Sequence, residues 1–82
     1  MIIQNEDVKE IIIEIPDHHK HIRTRIYLQD GTEITFQEAT IANMVRAYVT
    51  VKTHPQKHEI RLRGKTLSEK KKGFANWQLI EQ

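Results

Sequence analysis

Residues 22–36 run Ile22-Arg23-Thr24-Arg25-Ile26-Tyr27-Leu28-Gln29-Asp30-Gly31-Thr32-Glu33-Ile34-Thr35-Phe36, two alternating segments around one turn signal. Successive strand side chains point to opposite faces, so the first segment sets Ile22, Thr24, Ile26 and Leu28 against Arg23, Arg25 and Tyr27. Register then selects the turn. A two-residue Asp30-Gly31 loop would place Leu28 opposite Glu33 and Ile26 opposite Thr35, apolar against polar. A three-residue loop, a type I turn with Gly31 left-handed in a bulge, places Leu28 opposite Thr32, Ile26 opposite Ile34 and Tyr27 opposite Glu33. The apolar residues then share one face, and the bulged turn is the one expected.

Upstream, residues 9–15 alternate in the same way, with Ile11, Ile13 and Ile15 on one face and Glu10, Ile12 and Glu14 on the other. Downstream, Gln37–Ala47 carries helical signals. Thr35 and Glu38 stand at capping-box spacing, and Ile41, Met44, Val45 and Tyr48 fall at i, i+3, i+4 and i+7. The helical pattern extends as far as Lys52, but Tyr48-Val49-Thr50-Val51 is rich in β-branched residues. A four-residue loop, His54-Pro55-Gln56-Lys57, would also join residues 48–53 to residues 58–63 as a hairpin. That register pairs Val51 with Ile60 and Val49 with Leu62, and sets Lys52 opposite Glu59 and Tyr48 opposite Arg63. The helix is therefore expected to end near Ala47. Past Gly64, Thr66 and Glu69 repeat the capping-box spacing before Lys70-Lys71-Lys72, and Gly73 can close a short helical turn. Ala75–Glu81 alternates as a last strand, with Trp77 and Leu79 directed to the core.

The fold class expected is α+β: a mainly antiparallel β-sheet or a partly open small barrel, in the order β-β-β-α-β-β, a basic turn, and a last β. Residues 1–82 form a single small domain on this reading, with no internal repeat or linker. One short helix covers little of a sheet face, so the sheet must curl on itself or pack against a second copy. In element order alone the chain resembles the oligonucleotide/oligosaccharide-binding barrel, whose helix also lies between the third and fourth strands. No motif accompanies that resemblance, and it does not establish a function.

Composition excludes several classes. The 82 residues include only five aromatics and no cysteine, which removes disulfide scaffolds, thiolate metal sites and cysteine nucleophiles. The longest apolar run is Ile11-Ile12-Ile13, far below the roughly 20 residues of a membrane helix. The opening residues lack the basic head and apolar middle of a secretory signal, so a cytoplasmic location without membrane contact is expected. Charge is unevenly placed: residues 1–17 carry a net −4 and the remainder a net +6. Such asymmetry suits an acidic first strand beside a basic neighbour, and also a basic surface facing an anionic partner.

Two constellations could carry function. Asp17-His18-His19-Lys20-His21 brings imidazoles and a carboxylate into one loop, and His18 and His21 would converge if that loop turned once. Lys20 intrudes among the ligands and no metal motif is met, so no metal and no cofactor are expected. The second constellation is an outward sheet face of Arg23, Arg25 and Tyr27 from one strand, Tyr48 and Lys52 from another, and Arg61 and Arg63 from a third. Guanidinium groups meet phosphates and rings stack on bases, the means by which single-stranded nucleic acid is held. Glu14, Glu33 and Glu59 would pair off several members, so for this face a solvated surface laced with ion pairs is the stronger reading. Lys70-Lys71-Lys72 could add phosphate contacts or simply confer solubility. Ser68 is the only serine, and Glu10 and Glu14 look outward beside basic neighbours, so catalysis is not expected. The expectation is a small binding module for single-stranded or structured nucleic acid. The alternative is protein–protein interaction, as a homodimer or a subunit docking on a larger protein, suggested by the thin core and by Ile12, Tyr27 and Ile80 on the nominal solvent side.

Overall fold

The computed structural model describes residues 1–67, 72 and 76–82. A 3-10 turn at Asn5–Asp7 leads into β1 (Val8–Glu14), β2 (Arg23–Leu28) and β3 (Glu33–Gln37). The helix α1 (Glu38–Thr53) follows without a loop, and then β4 (Leu62–Thr66) and β5 (Trp77–Glu81). The strands form two antiparallel sheets, one of order β1-β2-β3 and one of β4-β5. This is an α+β arrangement with one helix after the third strand, and of the two expected sheet forms it is the open one. The chain divides into two compact units, Met1–Ala42 and Asn43–Gln82.

In the first unit the β2–β3 turn has the bulged form. Gly31 adopts φ 92°, a left-handed conformation that a side chain disfavours. Leu28 N–H donates to Thr32 O at 2.8 Å and Gly31 N–H to Leu28 O at 3.0 Å. Thr32 N–H also donates to the Asp30 carboxylate at 2.8 Å. The Thr32 side-chain hydrogen bond first, and this backbone one second, hold that carboxyl below its ordinary pKa. The resulting register sets Ile26 opposite Ile34 and Tyr27 opposite Glu33.

Strand β1 lies on the other side of β2, with Ile11 opposite Ile26, Ile13 opposite Thr24 and Glu14 opposite Arg23. A bulge between Val8 and Glu10 makes Lys9 the extra residue. Val8 and Ile11 are an odd number of residues apart, and the bulge returns both to the face that carries Leu28. That face holds Ile11, Ile13, Thr24, Ile26, Leu28, Ile34 and Phe36. Glu10, Ile12, Glu14, Arg23, Arg25 and Tyr27 occupy the other.

The second unit corrects the expected hairpin. Residues 48–53 are the last turns of α1, not a strand, and residues 54–61 form no strand either. The pairs Val51–Ile60, Val49–Leu62, Lys52–Glu59 and Tyr48–Arg63 are therefore not made, and five strands rather than six are present among the described residues. Once nucleated, a helix gains a hydrogen bond with each added residue, which outweighs a small β preference. The hydroxyls fit this outcome: Thr50 Oγ1 donates to Arg46 O at 2.9 Å and Thr53 Oγ1 to Val49 O at 2.7 Å. His54 N–H closes the helix on Thr50 O at 2.8 Å, and Pro55 ends the pattern.

Strand β4 instead pairs with β5, setting Leu62 opposite Glu81 and Arg63 opposite Ile80. The hairpin continues at both ends through Leu67 N–H to Asn76 O at 2.7 Å and Gln82 N–H to Arg61 O at 3.1 Å. Trp77, expected in the core, is 67 % exposed. It leans toward Gly64, which has no side chain to cover the ring. The expected capping box at Thr66–Glu69, the lysines Lys70 and Lys71, Gly73 and the start of the last strand at Ala75 lie outside the described residues, except that Thr66 ends β4.

Candidate interaction surface

The polar face of the first sheet is organised by one carboxylate. Glu14, at the end of β1, accepts from Arg23 Nε at 3.0 Å and Arg23 Nη2 at 2.5 Å, and from Arg25 Nη2 at 3.1 Å. The hydrogen bond from Arg23 is the main reason its pKa lies below the ordinary 4.5, with Arg25 adding to the effect against partial desolvation. Arg25 Nη1 donates to the Tyr27 hydroxyl at 2.9 Å, and its guanidinium carbon stands 5.8 Å from that ring's centre. Arg25 Nε is 2.9 Å from Glu14 Oε1 but is not aligned to donate, so this buried N–H lacks a hydrogen bond. Two arginines therefore share one anion. Alternation along β2 brings these side chains together, as expected from the sequence.

The other expected members of the face are elsewhere. Tyr48 and Lys52 are on α1, Arg61 precedes β4 and Arg63 lies within it. The seven residues belong to no common sheet, because Tyr48 and Lys52 were assigned to it only by the hairpin that α1 replaces. Arg61 is held by Glu59 at 2.7 Å, and Lys57 pairs with Glu81. Arg63 and Lys65 make no ion pair with a described residue. They lie on the face of the β4–β5 hairpin opposite Trp77, so charge and ring are on different sides.

The histidine loop forms a turn in which His18 takes φ 66° and His19 N–H donates to Pro16 O at 3.0 Å. His21 Nδ1 lies 2.8 Å from Glu38 Oε2, which ties the loop to the first turn of α1. Among the described residues no three His, Cys, Asp or Glu side chains gather where they could hold a metal ion. A depression of about 440 Å³ near the β1 bulge is lined by Lys9, Glu10, Ile12, Tyr27, Leu28, Gln29 and Gly31. Its ionisable lining residues are Lys9, Glu10 and Tyr27. No described helix is long and apolar enough to cross a membrane.

The most unusual feature is apolar. Leu28 is the one buried hydrophobic among the described residues, at 3 % exposure, whereas Ile11, Ile13 and Ile15 are 53, 68 and 61 % exposed. Met44, Val45, Tyr48 and Val49 also form an exposed stripe along α1. Alternation places the three isoleucines on one face, and the structure leaves them exposed. The signal for this lay in the element list: one helix cannot blanket a sheet face. Compared with known proteins, the chain matches no family model, no curated protein and no solved structure.

Proposed function

We propose that the chain is a non-catalytic assembly subunit that docks another polypeptide on the β1 side of its three-stranded sheet. One observation carries this reading: Ile11 and Ile13 on the edge strand β1, with Ile15 just past its end, remain more than half exposed. A contiguous apolar row of this kind costs solubility unless something covers it. The polar face of the same sheet is occupied by its own ion pairs, which leaves the isoleucine row as the surface still seeking contacts.

The test is an apolar fluorescent dye titrated into the protein at low and high salt, beside an Ile11→Lys/Ile13→Lys variant. Dye binding or self-association that persists in high salt, and that the variant loses, supports the reading. A protein that neither binds the dye nor associates overturns it.

A second reading is nucleic-acid binding. Its support is the second unit, which carries a net +6 and leaves Arg63 and Lys65 without ion-pair partners among the described residues. A short oligonucleotide titrated at two salt concentrations tests it, with binding expected to fall steeply as salt rises. Amide signals of Arg61–Lys65 that stay fixed at low salt remove it.

A further inference from the structure

We propose that the partner is a second copy of this chain, whose β1 adds antiparallel to β1 across a two-fold axis at Ile12. The proposal rests on the docking role above and names its occupant. Two sheets of order β1-β2-β3 would join as one six-stranded sheet.

Backbone direction shows which peptide groups of β1 face outward. Leu28 N–H donates to Thr32 O, so the alternate residues Thr24, Ile26 and Leu28 turn their main-chain groups toward β3. Arg23, Arg25 and Tyr27 then turn theirs toward β1, where they face Glu14, Ile12 and Glu10. The peptide groups of Ile11 and Ile13 therefore point away from β2. Strand β1 is at the end of the sheet order, so these groups have no strand partner among the described residues. An edge with exposed apolar side chains and unpaired peptide groups is a template for another strand.

Symmetry and boundaries choose the occupant and its register. Two antiparallel strands in one sheet share a face only when opposed residues have the same parity, which leaves pairings centred on a single residue. The open stretch is bounded by the bulge at Val8/Glu10 and by the end of β1 at Glu14, just before the turn that His19 N–H closes on Pro16 O. Its midpoint is Ile12. Centred there, Ile11 faces Ile13 of the second copy, Ile13 faces Ile11, and Ile12 meets its own equivalent. The outward groups of Ile11 and Ile13 fall in hydrogen-bonded positions, so this register also satisfies the backbone.

Shifting the centre to Ile11 or Ile13 sets Ile12 against a glutamate. The central register does oppose Glu10 to Glu14, but Glu14 already accepts from two arginines. The strand is thus complementary to itself in side chain, backbone and length.

The chain has no cysteine, so one introduced thiol reports its own neighbours. Ile12→Cys places two thiols across the axis at a position without backbone hydrogen bonds, where paired Cβ atoms approach within about 5 Å. Thr35→Cys lies on the same face but two strands away, so its copies would be separated by about 24 Å. After mild oxidation, Ile12→Cys is expected to become mostly covalent dimer and Thr35→Cys to remain monomer. Sedimentation equilibrium of the unmodified chain should give the mass of two copies, with at least tenfold weaker association in Ile11→Lys/Ile13→Lys. A monomeric mass at millimolar concentration overturns the second copy, while dye binding to the isoleucine row would still stand for another polypeptide. A dimeric mass without Ile12→Cys crosslinking, or equal crosslinking of both variants, overturns the β1–β1 register.

Discussion

Strands β1 and β2 are neighbours with similar alternation, yet they meet opposite fates. Thr24 and Leu28 on β2 are 8 and 3 % exposed, while Ile11 and Ile13 on β1 are more than half open to water. Isoleucine is at least as apolar as leucine and far more so than threonine, so hydropathy does not explain the contrast. Position does. β2 has a strand on each side, whereas β1 has one strand neighbour among the described residues. Strand count alone does not decide it either, since β3 is also an edge strand and its Ile34 and Phe36 are half-buried; what β1 lacks is cover over its apolar face.

The contrast can be broken by truncation. Leu28→Ala removes the one buried hydrophobic of the described residues and should cost about 2–5 kcal/mol, read as a lower midpoint in urea. Ile13→Ala, tested at concentrations where the chain is dispersed, should cost less than about 1 kcal/mol, since most of that side chain is already in water. Equal losses at the two positions would show that β1 is covered in solution.

Gly31 sharpens the comparison because its turn supplies β2 with its second neighbour. Gly31→Ala meets open space, so its cost is conformational, about 1–2 kcal/mol from forcing a side chain into the left-handed region. A midpoint unchanged by that substitution would contradict the bulged turn.

The smallest effect expected is electrostatic. The Glu14 pKa is depressed in the folded state, so its ion pairs stabilise at neutral pH, and that contribution is lost as pH falls through the carboxylate range and below. Glu14→Gln should flatten the acid limb of a stability–pH profile and leave the profile above pH ~6 parallel to that of the unsubstituted protein. An unchanged acid limb would show that the pairing with Arg23 and Arg25 contributes nothing to folding.

Legibility in the sequence varied with how many separate constraints bore on a residue. The Gln29–Thr32 turn was readable because glycine chemistry, loop length and the matching of Ile26 to Ile34 all agreed. Residues 48–53 had two rival patterns, and Tyr48 satisfied both. Pairwise matches such as Val51 with Ile60 are individually weak, whereas helix continuation is cooperative, so counting matches favoured the wrong state. The candidate face divided along the same line. Glu14, Arg23, Arg25 and Tyr27 follow from alternation on adjacent strands and do cluster, while Tyr48, Lys52, Arg61 and Arg63 depended on the lost hairpin. The exposure of Ile11, Ile13 and Ile15 was not readable residue by residue, because alternation says which side chains share a face and nothing about what lies over it.

Strand β3 ends at Gln37 and α1 begins at Glu38, with no residue between to absorb slack. Sliding β3 by two positions along β2, the smallest slip that keeps its faces correct, would therefore carry the start of α1 about 7 Å along the strand axis. The 2.8 Å contact between His21 and Glu38 spans much less than that and would part. Errors of alignment in the sheet are in this way converted into a displacement of the helix, and the imidazole–carboxylate contact acts as a gauge that closes only at the correct setting.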